Sequence, residues 1–110
     1  MNVAENVFIM KTAKNRGCDR IWLEGKKLAN AGFQRGDMLE KTIDDRSLVL
    51  RRVSNPIAGN KYHRIAGTLN RPILDCCGKW VTQLFKGAES YSAAIDSRNG
   101  TITISPCKGE

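Results

Sequence analysis

The second half of this 110-residue chain reads as a diverged copy of the first. Ile21-Trp22-Leu23-Glu24-Gly25-Lys26-Lys27-Leu28 is followed by Ala31-Gly32-Phe33-Gln34-Arg35-Gly36 and then Thr42-Ile43-Asp44-Asp45-Arg46-Ser47-Leu48-Val49-Leu50. Some fifty residues later the same features recur in order: Leu74-Asp75-Cys76-Cys77-Gly78-Lys79-Trp80-Val81, Leu84-Phe85-Lys86-Gly87 and Ala94-Ile95-Asp96-Ser97-Arg98-Asn99-Gly100-Thr101-Ile102-Thr103-Ile104. The competing reading is chance likeness between two β-rich stretches. A unit of about 55 residues buries too little surface and leaves too many strand edges to be stable alone, so two copies are expected to complete each other.

Periodicity makes each unit mostly β. Val7 to Met10 is an apolar run, Ile21 and Leu23 alternate with polar neighbours, and Leu48-Val49-Leu50 follows an Asp44-Asp45 turn. In the second unit Thr101 to Ile104 alternates strictly behind Asn99-Gly100, a strong hairpin signal. Gly25 to Ala31 places Leu28 and Ala31 at helical spacing and stops at Gly32, predicting one short helix per unit. Residues 1–54 and 55–110 are the expected repeats, joined at Ser54–Asn60. The expected fold is mainly β, an α+β arrangement of two ββαββ-like units with two short helices, closing into one pseudo-two-fold barrel or sandwich.

Charge narrows the function. Eighteen Lys and Arg against eleven Asp and Glu give a formal charge of +7, which favours a polyanionic partner, nucleic acid first. The first repeat carries about +4 and the second about +3, so both are suited to one polyanion. A membrane surface is disfavoured, because basic residues come at most two in a row and the longest apolar run, Val7 to Met10, is far below the ~20 residues of a membrane span. A soluble cytoplasmic protein is expected. Cys18, Cys76, Cys77 and Cys107 lack paired metal-knuckle spacing, and Cys76 and Cys77 point to opposite faces of a strand. They read as small buried hydrophobes in a reducing compartment. No metal, cofactor or catalytic constellation is expected.

The string from Leu23 to Asp37, with Gly25-Lys26-Lys27-Leu28, Ala31-Gly32-Phe33 and Gly36-Asp37 before a strand, resembles the SymE toxin family, within the AbrB/MazE superfamily of swapped-hairpin β-barrels. The first repeat departs from it at Lys27, where the family prefers Trp; the second restores Gly78-Lys79-Trp80-Val81 but lacks Ala-Gly-Phe and the Asp. The likeness covers residues 20–53 well and 73–105 weakly. It implies two interlaced units that bind nucleic acid, here joined in one chain as the equivalent of a dimer. AbrB-like members bind DNA as regulators or antitoxins; SymE is described as an RNA-directed toxin.

Candidate contacts follow from placement. Lys11, Lys14, Arg16 and Arg20 form the densest basic cluster, in the segment joining the first two strands, and Lys61, His63, Arg64 and Arg71 occupy the matching stretch of the second repeat. Lys26, Lys27 and Lys79 stand at the predicted helix starts, where free backbone N–H groups attract anions. Arg35 and Lys86 follow Phe33 and Phe85. Trp22 is expected in the interface between copies, Trp80, Phe33 and Phe85 in the core, and Gly32, Gly36 and Gly87 at positive φ. The leading expectation is a small DNA-binding transcription regulator, monomeric as a pseudo-dimer or pairing further. Its rivals are an RNA-acting toxin, with endonuclease activity, and an antitoxin or inhibitor docking on an acidic protein.

Overall fold

The computed structural model describes residues 5–57, 59 and 61–107. Ala58 and Asn60 of the expected connector lie outside the described residues. The order is β1 (Glu5–Lys11), β2 (Ala13–Asn15), β3 (Cys18–Glu24), α1 (Lys26–Ala29), β4 (Met38–Asp44), β5 (Ser47–Val53), β6 (Tyr62–Arg64), β7 (Ala66–Thr68), β8 (Arg71–Cys77), α2 (Lys79–Phe85), β9 (Ser90–Asp96) and β10 (Thr101–Cys107). The fold is therefore mainly β with two short helices.

The strands form two antiparallel sheets, one ordered β1-β9-β10-β5-β4-β6 and one ordered β2-β3-β8-β7. The expected barrel does not close. β1 gives way to β2 at Thr12 and β6 to β7 at Ile65, so at two points the chain leaves one sheet and enters the other. There the backbone bonds leave the ladders: the Thr12 N–H donates to the Glu89 carbonyl and the Ile65 N–H to that of Asp37, both at 2.9 Å. β1 and β6 remain edges of the larger sheet, β2 and β7 of the smaller.

Strict alternation fills the space between the sheets. In β3, Asp19, Ile21 and Leu23 are buried, alternating with more exposed neighbours; in β8, Pro72, Leu74 and Cys76 are; in β9, Tyr91, Ala93 and Ile95 are. With Leu48, Leu50, Ile102 and Ile104 they form one core. α2 packs on β3 and α1 on β8 and β3, so each helix covers a strand from the other half of the chain. The Trp22 N–H donates to the Tyr91 hydroxyl at 3.1 Å, tying β3 to β9.

Phe33 and Phe85 are core residues, as the sequence predicts, and Gly32, Gly36 and Gly87 have φ of 87°, 95° and 84°. Trp80 is not core: it is half-buried at the start of α2. The β9–β10 turn is also wider than an Asn-Gly pair. Asp96 pairs with Thr101 across four residues, and its carboxylate accepts from the Arg98 and Asn99 N–H groups and from Asn99 Nδ2 at 3.0, 3.2 and 2.8 Å. No helix among the described residues is long and apolar enough to cross a membrane.

Candidate nucleic-acid interface

The basic cluster that the sequence places in a connecting segment is a strand hairpin. Lys11 ends β1 and Lys14 lies in β2; Arg16 and Gly17 form the two-residue turn into β3 with φ of 55° and 80°. Both residues are left-handed, as a tight hairpin turn requires, and Arg16 adopts that conformation without being glycine. The exposed Arg16 thus stands at the tip of the hairpin. Lys14 is engaged: its ammonium pairs with the carboxylate of Asp19, which is 1% exposed.

On the outer face of the smaller sheet the arginines are already satisfied. Arg20 makes a bidentate contact with Asp75, Nε and Nη2 each at 2.8 Å, and its guanidinium lies 4.4 Å from the Trp22 ring centroid. The pairing holds the Asp75 carboxyl below its ordinary value, the hydrogen bond from Arg20 being the main cause. Arg71 pairs with Glu24, whose other oxygen accepts from Trp22 Nε1 at 3.0 Å; these contacts, the Trp22 bond first, lower the Glu24 pKa. Trp22 opposes Asp75 at the junction of β3 and β8, half-buried. A phosphate reaching Arg20 or Arg71 has to displace a carboxylate.

Lys26 opens α1 and Lys79 opens α2, as expected, but α1 is four residues long and α2 seven. Dipoles that short supply little field, and in α1 the N–H groups of Leu28 and Ala29 already bond the Gly25 carbonyl. These lysines therefore offer charge without a helix-end anion site. Lys27 lies over the Phe8 ring at 5.5 Å. Arg35 is exposed beyond α1, Lys61 is exposed just before β6, and Arg64 ends β6 opposite Met38. Among the described residues, Lys11, Arg16, Lys26, Arg35, Lys61, Arg64 and Lys79 have no carboxylate partner, and Lys27 acts on Glu24 without an ion-pair contact.

The sequence does not point to a further basic hollow. Two adjoining depressions of about 220 and 370 Å³ share Ile43 and Trp80 and run between α2 and the β4–β5 hairpin. Lys41, Lys61, Arg46 and Lys86 line them, with Asp45 the single acid among the described residues. Lys41 Nζ sits 4.1 Å from the Trp80 ring centroid. Arg46 Nε is buried without a partner among the described residues. A usable signal exists in β4, where Leu39, Lys41 and Ile43 share one face: a lysine between two apolar residues on a core-facing strand marks an opening.

His63 and Cys76 do come together, Nε2 to Sγ at 3.5 Å, but not as a nucleophilic pair. His63 Nε2 is 2.8 Å from the Asp75 carbonyl, so satisfying that carbonyl places the ring proton on Nε2 and leaves no base facing the thiol. Burial pushes the Cys76 thiol up to about 12, away from a thiolate. The four cysteines are free thiols, and among the described residues no three His, Cys, Asp or Glu side chains converge to hold a metal. The chain matches no family model, no curated protein and no solved structure.

Proposed function

We propose that the chain is a nucleic-acid-binding protein, of the small DNA-binding regulator type, built from two interlaced copies of one unit at residues 1–54 and 55–110. The observation that carries the reading is the set of cations without carboxylate partners, contributed by both halves and set in a net charge of +7. Such cations neutralise phosphates and release counterions.

Strand order supports the duplication. Exchanging β1 with β6, β2 with β7, β3 with β8, β4 with β9 and β5 with β10 turns the order of each sheet into its own reverse. The registers agree. Counterparts in β3 and β8 lie 53 residues apart, Trp22 faces its own counterpart Asp75, and the pairs Arg20 with Cys77 and Glu24 with Ile73 exchange under the same step. In β5 and β10 the step is 54, and Val49 faces its counterpart Thr103. An approximate two-fold axis through these two pairs is what a single-chain equivalent of an AbrB/SymE-like dimer requires.

A mobility-shift assay of the full chain against duplex DNA, single-stranded DNA and RNA tests the function. We expect duplex binding, weakened about tenfold or more both by Lys26→Glu with Lys27→Glu and by Lys79→Glu, since each reversal removes and repels phosphate contacts. Retention of none of the three nucleic acids contradicts the proposal and turns the basic face into a surface for an acidic protein.

A further inference from the structure

We propose that the hollow between α2 and the β4–β5 hairpin is a subsite for an unpaired stretch of nucleic acid, with one base on the Trp80–Ile43 platform and its flanking phosphates on Lys61 and on Arg46 with Lys86. The inference rests on the nucleic-acid reading above and adds to it a site and a strandedness.

Three independent features converge there. The first is an apolar platform exposed to solvent: Ile43 is 52% exposed, a high value for isoleucine in a strand, and Trp80 lines both depressions beside it. An indole face is a sequence-tolerant stacking surface for bases. The second is charge, with Lys61 at one end, Arg46 and Lys86 at the other, Lys41 over the ring and, among the described residues, Asp45 alone opposing them. Cations flanking an aromatic platform match a strand whose phosphates flank each base.

The third feature is the orphan donor. Arg46 Nε is shielded from solvent without an acceptor among the described residues, and its side chain also lines the neighbouring depression with Lys86 and Gly87. A buried N–H without a partner is costly, and the Arg46 side chain, which lines both depressions, gains an acceptor by turning its guanidinium out to a phosphate oxygen beside Lys86. Duplex DNA cannot make the same contacts, because its bases are stacked on each other and unavailable to Trp80. Lys41 covers that ring face in the free protein, and a base stacking on Trp80 takes its place.

The chain holds two tryptophans, so Trp22→Phe leaves Trp80 as the single indole reporter in an otherwise full-length protein. Its emission is followed while decathymidylate, a ten-base-pair duplex and inorganic polyphosphate are titrated in turn, with thermal melting to confirm that each variant is folded. Decathymidylate is expected to quench Trp80, and Arg46→Gln to weaken its binding about tenfold. Duplex and polyphosphate are expected to leave the emission unchanged even where they bind.

Equal quenching by duplex or polyphosphate overturns the base-stacking assignment. Decathymidylate binding with unchanged emission and unchanged affinity in Arg46→Gln overturns the site while leaving nucleic-acid binding in place. Failure of decathymidylate to bind overturns the site, and failure of RNA and duplex to bind as well overturns the function on which it rests.

Discussion

At the level of single residues, three of the cations that look available in the sequence, Lys14, Arg20 and Arg71, are committed in the structure. Arg20 is held by both oxygens of Asp75 and Arg71 by Glu24, while Lys41 and Arg46, neither of them a candidate contact in the sequence, line an open hollow. The difference lies in partners far away in sequence: Asp75 is 55 positions from Arg20, and no local spacing announces it. The Arg20–Asp75 contact also fixes a pH dependence. Because the folded-state pKa of Asp75 is lowered from 3.8, the pair stabilises the fold fully above that ordinary value and loses its effect as pH falls through the lowered one. Glu24 and Asp96 shift the same way, Asp96 chiefly through the Asn99 N–H, so Asp75 supplies one share of the acid sensitivity. Asp75→Asn is expected to lower the melting temperature at neutral pH and to flatten its fall between about pH 5 and pH 2. An unchanged acid limb in that variant contradicts the assignment.

The elements were readable where one face is buried throughout. Alternation at Ile21 and Leu23 and through Thr101 to Ile104 predicts both strands and these inward residues, and the Leu28 spacing predicts the buried side of the first helix. The short pieces were not readable. β2, β6 and β7 are three residues each, below the length at which period two is distinguishable, and the steps at Thr12 and Ile65 are set by bonds to Glu89 and Asp37. β7 also depends on a close backbone approach: a Cβ at Gly67 would lie 2.2 Å from the Arg71 carbonyl oxygen. At the end of α2, Lys86 occupies the left-handed cap at φ 49° where glycine is the usual residue. Lys86→Gly is expected to raise stability by about 1 kcal/mol, near 4 °C in melting temperature, while weakening single-strand binding through loss of a cation. A lower melting temperature would show that Lys86 is kept for packing rather than charge.

For the whole molecule, strand ladders run between the two halves of the chain. β5 pairs with β10, β3 with β8, β1 with β9 and β4 with β6, so each of these ladders joins the first half to the second. The likeness of the halves was legible because glycines, Gly-Lys pairs and phenylalanines recur in order. The failure of the barrel to close was not, since edge strands are defined by the partners they lack. Across this frame the cations without partners come from both halves, so the proposed polyanion binding would draw on the whole chain. The most direct test of that claim is the salt dependence of duplex DNA affinity for the intact protein. If several phosphates are neutralised together, the logarithm of the association constant falls linearly with that of salt concentration, with a slope between about −3 and −6. A slope near zero, or no measurable binding at low salt, would contradict it.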